Sequence, residues 1–209
     1  MNHIDNLINS VYSIYPRIGQ NKTEILELSK VIYKLSPKNV LEIGTQYGGT
    51  FYLLSKLSNC GKKISVDLEE GIHGGISIDE IKNRNKFLES EFTDIHFLNS
   101  DSHEQSTLKK VEKILDGESV DVLFIDGDHT YDGVKKDFEM YRHLVRDGGM
   151  IIFHDINYMS FDPSCEVYKF WDELKNKEEF KKYSIYEINH NCSWVSHNEV
   201  MGGIGVIQT

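Results

Sequence analysis

The chain has 209 residues, with 23 Lys and Arg against 33 Asp and Glu, a net charge of −10. That length fits one domain, and 39% hydrophobic with 11% aromatic residues supplies a core, which argues against whole-chain disorder. The negative charge repels phosphate backbones, the densest basic run (Lys175–Lys182) is interrupted by Glu178 and Glu179, and no apolar run approaches the roughly 20 residues of a membrane span. Neither nucleic acid nor membrane is therefore an expected partner.

In chain order, Ile4, Leu7, Ile8, Val11 and Ile14 share a helical face within residues 1–20, which packs either on the chain's own core or on a partner subunit in a homo-oligomer. A second helix is predicted over 23–35, and Pro37 stops it. Short β-rich runs follow at 39–43, 63–67, 95–98, 120–125 and 149–153, and helical spacing recurs at 104–115 and 131–146. Residues 69–79 hold three glycines and no period, and read as a loop. After residue 160 come a helix over about 164–180 and two close strand-like runs, YSIYEI (183–188) and GGIGVI (202–207). The alternation implies an α/β three-layer sandwich, with a mostly parallel sheet and an antiparallel edge strand. A single domain over 1–209 is expected, with an N-terminal helical segment (1–36), a ligand-binding core (37–156) and a C-terminal helix with an antiparallel pair (157–209). Three cysteines, at 60, 165 and 192, are odd in number and widely spaced, and MNHIDNLINS lacks the pattern of a signal peptide. A reducing, cytoplasmic setting is expected.

Ligands of open α/β sheets bind beyond the C-terminal strand ends. Here those ends carry Glu42 with Gly44, then Asp67, Asp101, Asp126, and His154 with Asp155. Any one of these acids is ordinarily a turn former or helix cap, and Asp126-Gly127-Asp128 also reads as a tight turn with Asp128 capping the next helix. A polar or acidic group after all five strands is harder to explain by packing. In the first turn, Leu41 to Thr50, Gln46 breaks the dinucleotide fingerprint and Thr50 replaces the P-loop lysine. What remains is a carboxylate, a tight turn and a second glycine, which suits a cationic ligand better than a phosphate. Asp67 stands where an acid commonly accepts hydrogen bonds from a ribose diol. A cationic adenosine compound without phosphate describes S-adenosylmethionine.

The segments VLEIGTQYGGT (40–50), ISVDLE (64–69), LNSDS (98–102) and VDVLFIDGDHTYDGVKKDFEMYRHLVRDGGMIIFHDI (120–156) resemble the class I S-adenosylmethionine-dependent methyltransferases. More narrowly, they resemble the branch that holds cephalosporin-hydroxylase-like proteins and metal-dependent sugar O-methyltransferases. The resemblance implies a seven-stranded sheet. It also implies that Glu42, Gly44 and Gly48 shape the methionine side of the pocket, that Asp67 holds the ribose hydroxyls, and that Asp101 and Ser102 lie by the adenine. Thr45, Thr50, Leu68 and Asp126 would also bind the cofactor. Asp126, His154 and Asp155 would bind a divalent cation, and His129 would be the base, with Asp126 beside it.

Two carboxylates suit Mg²⁺ or Mn²⁺, and a nitrogen from His154 shifts the preference toward Mn²⁺ or a later metal. The implied reaction is metal-assisted O-methylation of a small hydroxylated acceptor such as a sugar or glycoside. The alternatives are a metal-independent N- or carboxyl-methyltransferase and a non-catalytic S-adenosyl-binding protein. Tyr12, Tyr15, Tyr158 and Phe161 either wall the acceptor site or belong to core or interface. His190, Cys192 and His197 lie in a polar, aromatic tail that reads as a turn more readily than as a zinc site, since no standard ligand spacing is present.

Overall fold

In a computed structural model that describes residues 3–15, 17–69, 75–190 and 202–209, the apolar runs become seven strands: β1 (Val40–Ile43), β2 (Lys63–Asp67), β3 (Ile95–Asn99), β4 (Val120–Ile125), β5 (Val145–His154), β6 (Ser184–Ile188) and β7 (Ile204–Gln208). They form one sheet in the order β3-β2-β1-β4-β5-β7-β6. β7 runs antiparallel to both neighbours, so the antiparallel strand sits one place in from the edge. β1 and β4 are buried at every position, as expected of central parallel strands covered on both faces.

The helices are α1 (His3–Ile14), α2 (Lys22–Leu35), α3 (Gly49–Leu57), α4 (Ile78–Glu91), α5 (Gln105–Leu115), α6 (Tyr131–Tyr141) and α7 (Val167–Asn176). One face of the sheet packs against α5, α6 and α7 through Leu108, Val111, Phe138, Phe170 and Trp171. The other packs against α1, α2 and α3 through Ile8, Val11, Ile25, Leu28 and Phe51, joined by Leu88 of α4. The face of α1 that sequence left open between core and partner is thus buried on this chain's own α2 and α3: Ile4, Ile8 and Val11 are at most 2% exposed. No helix among the described residues is long and apolar enough to cross a membrane.

Several bounds differ from the sequence expectation. The helix expected over 131–146 stops at Tyr141, passes through a 3-10 turn (Arg142–Leu144), and gives way to β5 at Val145. Val145 pairs with Val120 of β4 across a register shift, so strand pairing takes residues that the helical period alone would claim. The expected 164–180 helix is α7 followed by extended backbone at Lys177 and a 3-10 turn, Glu178–Phe180, that returns the Phe180 ring to Phe138. Within 69–79, residues 70–74 lie outside the described set, and α4 begins at Ile78 behind a capping box. There the Glu80 amide donates to Ser77 Oγ at 3.4 Å and the Ser77 amide donates to Glu80 Oε2 at 3.2 Å. Helices α3 and α4 had no counterpart in the sequence reading.

Candidate active site

The strand order reverses between β1 and β4, and the loops that leave these strands nearly touch. Gly44 has φ +84°, and a Cβ there would lie 2.0 Å from the Asp126 carbonyl oxygen, so only glycine fits. Beyond these ends opens a cleft of about 1220 Å³. Gly44, Thr45, Gly48, Thr50, Asp67, Leu68, Asp101, Ser102, Asp126, His129, His154 and Asp155 all line it. Glu42 does not. It is 1% exposed. Burial pushes its carboxyl well above the usual range against a hydrogen bond from the Thr45 side chain, and the acids Asp126 and Asp67 add to the rise.

At the β2 end, Asp67 is held from two sides. Its Oδ1 accepts the Thr45 amide at 3.2 Å, and its Oδ2 lies 2.5 Å from Arg84 Nη1 of α4. The same Nη1 donates to the Gln46 carbonyl at 2.6 Å. Arg84 is 7% exposed, so one buried guanidinium ties the glycine turn to the strand-end acid. At the β3 end, Asp101 Oδ1 accepts the His103 amide at 2.8 Å, and His103 Nε2 lies 3.3 Å from the fully buried Asp137 of α6. Asp137 holds the His103 imidazole above its ordinary value against the effect of burial. Burial in turn raises the Asp137 carboxyl. Ser102 is fixed through its carbonyl, which accepts Tyr141 Oη at 2.8 Å.

The other end of the cleft gathers the residues after β4 and β5. Asp126 Oδ1 lies 3.4 Å from His129 Nε2 and 3.4 Å from His154 Nδ1, and its Oδ2 accepts Gln20 Nε2 at 2.9 Å. Asp155 has φ +59° and sends Oδ1 to 3.2 Å from His154 Nδ1 and Oδ2 to 3.8 Å from His129 Nδ1. Asp126, His154 and Asp155 offer donor atoms within 4.8 Å of one another. Burial opposes charge on Asp126, but the two imidazoles outweigh it and hold its carboxyl below the usual range. Burial opposes charge on His154 as well, and here Asp155 and Asp126 raise the imidazole well above its ordinary value. His129 is raised too: its hydrogen bond to Asp126 and the charge of Asp155 outweigh burial.

His154 stacks on Phe124, and its Nε2 is buried without a partner among the described residues. A Cβ on Gly202 would stand 3.5 Å from that Nε2 and 3.6 Å from Glu24 Oε2, which places the buried Glu24 of α2 at the back of the imidazole. Glu24 accepts the His190 and Gly203 amides at 3.1 and 3.3 Å.

Of the four aromatics, Tyr12 and Phe161 line the cleft. Tyr15 packs in the α1–α3 core, and Tyr158 is 57% exposed against Tyr168. Asp128 is not the cap of α6: its Oδ1 accepts the Thr130 amide at 2.9 Å, and Thr130 Oγ1 does the capping by accepting the Gly133 amide. His190 turns to Glu27 at 3.2 Å, while Cys192 and His197 lie outside the described residues. Sequence reasoning missed Gln20, Glu24, Arg84 and His103. Arg84 did leave a signal: it shares helical spacing with Ile81 and Leu88, so an arginine occupies the apolar stripe of α4.

Comparison with known proteins places the chain in a family. The model of a family described as a methyltransferase domain matches residues 41–156, more than half of the chain. The protein R132 of Acanthamoeba polyphaga mimivirus is 26% identical over 203 residues, covering 97% of this chain and 86% of its own. Among solved structures, an O-methyltransferase from Bacillus cereus in complex with SAH superposes with a TM-score of 0.66 at 17% identity, over 99% of this chain and 90% of that one. The O-methyltransferase TomG from Streptomyces achromogenes, involved in tomaymycin synthesis and solved with SAM, gives 0.63 at 13% identity, over 100% and 91%. The chain belongs to the methyltransferase-domain family and has the fold of the class I S-adenosylmethionine-dependent methyltransferases.

Proposed function

We propose that the protein transfers the methyl group of S-adenosylmethionine to a hydroxyl of a small acceptor, a sugar or glycoside being the leading class, with a divalent cation at Asp126, His154 and Asp155. The observation that carries this reading is the meeting of two carboxylates and two imidazoles at one end of a cleft whose other end suits a nucleoside. In that cleft Asp67 and Leu68 take the ribose, Asp101 and Ser102 the adenine, and Gly44, Thr45, Gly48 and Thr50 the methionine end. Glu42 lies behind the cleft surface, and its role is to support the first turn from within the sheet.

The donor set fits a cation. Neighbouring donor atoms at 3.2 and 3.4 Å match the spacing of adjacent ligands around an ion about 2.1 Å from each, and the set offers two hard oxygens and one borderline nitrogen. When bound, the cation would lower the acceptor hydroxyl's pKa and fix its orientation. His129 takes the acceptor proton on its imidazole while Asp126, 3.4 Å from Nε2, stabilises the imidazolium that results. The transfer is an in-line displacement at an already activated carbon. The chain's main task is therefore to hold acceptor and sulfonium in line, with Tyr12 and Phe161 excluding water from the approach.

A second reading has its own support. His154 between two acids is already a cation when protonated, so the same triad is self-compensating without metal. Asp126 and Asp155 would then only orient an amine or carboxylate acceptor. Chelator-treated protein incubated with labelled S-adenosylmethionine and a panel of hydroxylated acceptors, with and without Mn²⁺ or Mg²⁺, separates the two. The metal-assisted reading expects turnover only with the ion, and equal turnover in both arms removes the ion from the mechanism.

A further inference from the structure

Asp155 divides its carboxylate between two imidazoles, 3.2 Å from His154 Nδ1 and 3.8 Å from His129 Nδ1. On the His154 side stands Asp126. On the His129 side stands Cys165, fully buried and without a disulfide. His129, Asp155 and Cys165 each offer a donor atom within 4.8 Å of the others, and His129 Nδ1 is already 3.8 Å from Asp155 Oδ2.

The fold builds this proximity from the chain that follows β5. The Cys165 amide donates to the Asp162 carbonyl at 3.2 Å, and the next amide, of Glu166, donates to the His129 carbonyl at 2.7 Å. Glu166 Oε2 also accepts the Tyr131 amide at 3.4 Å. Residues 162–166 are thus strapped to the turn that carries His129, and the thiol is held beside the imidazole. A set of one sulfur, one nitrogen and one oxygen selects a borderline or soft ion, whereas the Asp126 set contains no sulfur.

We propose that His129, Asp155 and Cys165 form a second cation site, one that takes a thiophilic divalent ion of the zinc type. Tetrahedral zinc with bonds of about 2.0–2.3 Å spaces its ligand atoms roughly 3.3–3.8 Å apart. The His129–Asp155 pair already has that spacing, and all three donor atoms lie within 4.8 Å of one another. His129 and Asp155 line the cleft, and the buried Cys165 does not. On binding, the Cys165 S–H bond breaks as the metal–sulfur bond forms, and the proton leaves to solvent. The His129 Nδ1 lone pair goes to the ion, and Nε2 then carries the ring's hydrogen. Occupancy therefore silences the imidazole as a base. That consequence rests on the function proposed above, while the binding itself does not.

The test uses the C60S/C192S variant of this 209-residue chain, in which Cys165 is the only thiol. The metal-free protein is titrated with Co²⁺, a spectroscopic stand-in for zinc. The expected result is a thiolate-to-cobalt charge-transfer band that is complete by two equivalents, the Asp126 set taking the other ion, and is displaced by Zn²⁺. H129A and D155N should each weaken cobalt binding at least tenfold. Absence of the band overturns the site, and a band indifferent to both substitutions overturns the three-donor set. In the unmodified chain, zinc-edge X-ray absorption at two equivalents should show sulfur neighbours, and zinc without sulfur there overturns the proposal even if the double variant fails to fold. None of these readouts uses methyl transfer, so a failure of the O-methyltransferase reading would leave them standing.

Discussion

Gly44 and His129 show how much a single residue decides at this cleft. With backbone atoms of Asp126 and Gly127 inside the space of a Cβ, and φ at +84°, a G44A substitution must push two central strand ends apart. The expected cost is more than about 3 kcal/mol, read as a large fall in thermal midpoint together with lost SAH binding. For His129, a glutamine keeps a polar side chain but cannot take a proton. H129Q should lower kcat by roughly 10²–10⁴-fold while isothermal titration finds SAH affinity unchanged. A matching loss of cofactor affinity would move His129 out of the base role.

His103 makes a third residue-scale prediction, with a sign. Asp137 raises its pKa in the folded protein, so the folded state holds that proton more tightly than the unfolded chain does. The stabilisation is full below about pH 6.5 and fades as pH rises through the raised value. Burial raises Asp137 itself, which acts in the same direction, since its charge is disfavoured at higher pH. Asp101, 4.0 Å from Nδ1, and the charge of Lys136 also bear on the ring. The stability gap between wild type and H103Q, followed by thermal unfolding across pH, should therefore shrink on the alkaline side. A gap that widens there contradicts the assignment.

Among the secondary-structure elements, α4 links fold to site through one buried arginine. If Arg84 acts by aiming Asp67 at a ribose diol, R84M should weaken SAH binding about tenfold or more, the scale of a lost charge-assisted hydrogen bond. An SAH analogue without the 2′ and 3′ hydroxyls should hardly notice the change. Equal losses for both ligands would mean that Arg84 only supports the turn. The same elements explain what sequence could and could not reveal. Strands β2 and β4 were legible because short β-rich runs are followed by single acids, Asp67 and Asp126, that reach the cleft. Helix α3 was not, because it is buried on nearly every side from Gly49 to Leu57 and so has no amphipathic period. Helix α4 failed for the opposite reason: only Ile81, Arg84 and Leu88 are buried, too few apolar residues to mark a stripe. Gln20, Glu24 and Cys165 reach the site from distant points of the chain, and no local pattern announces a meeting made by packing.

For the whole molecule, the sheet and its two covered faces make α1 an integral layer and not an appendage. Ile8, 1% exposed, packs with α2 and α3, so I8A should cost about 2–4 kcal/mol in a denaturant titration without changing the oligomeric state seen by light scattering. A change in assembly with little loss of stability would return that face to the role of an intersubunit contact.

β7 runs from the cleft toward the opposite edge of the sheet: Ile204 pairs with His154, while Gln208 pairs with Met150. Thr209 then fastens onto the start of β5, exchanging backbone hydrogen bonds with Gly148 and Gly149. Five strand residues at about 3.3 Å each carry the chain roughly 16 Å from the reacting groups. Any polypeptide grafted behind Thr209, whether an affinity handle, a fluorescent partner or a surface tether, would depart from the far rim and leave the mouth open to incoming molecules.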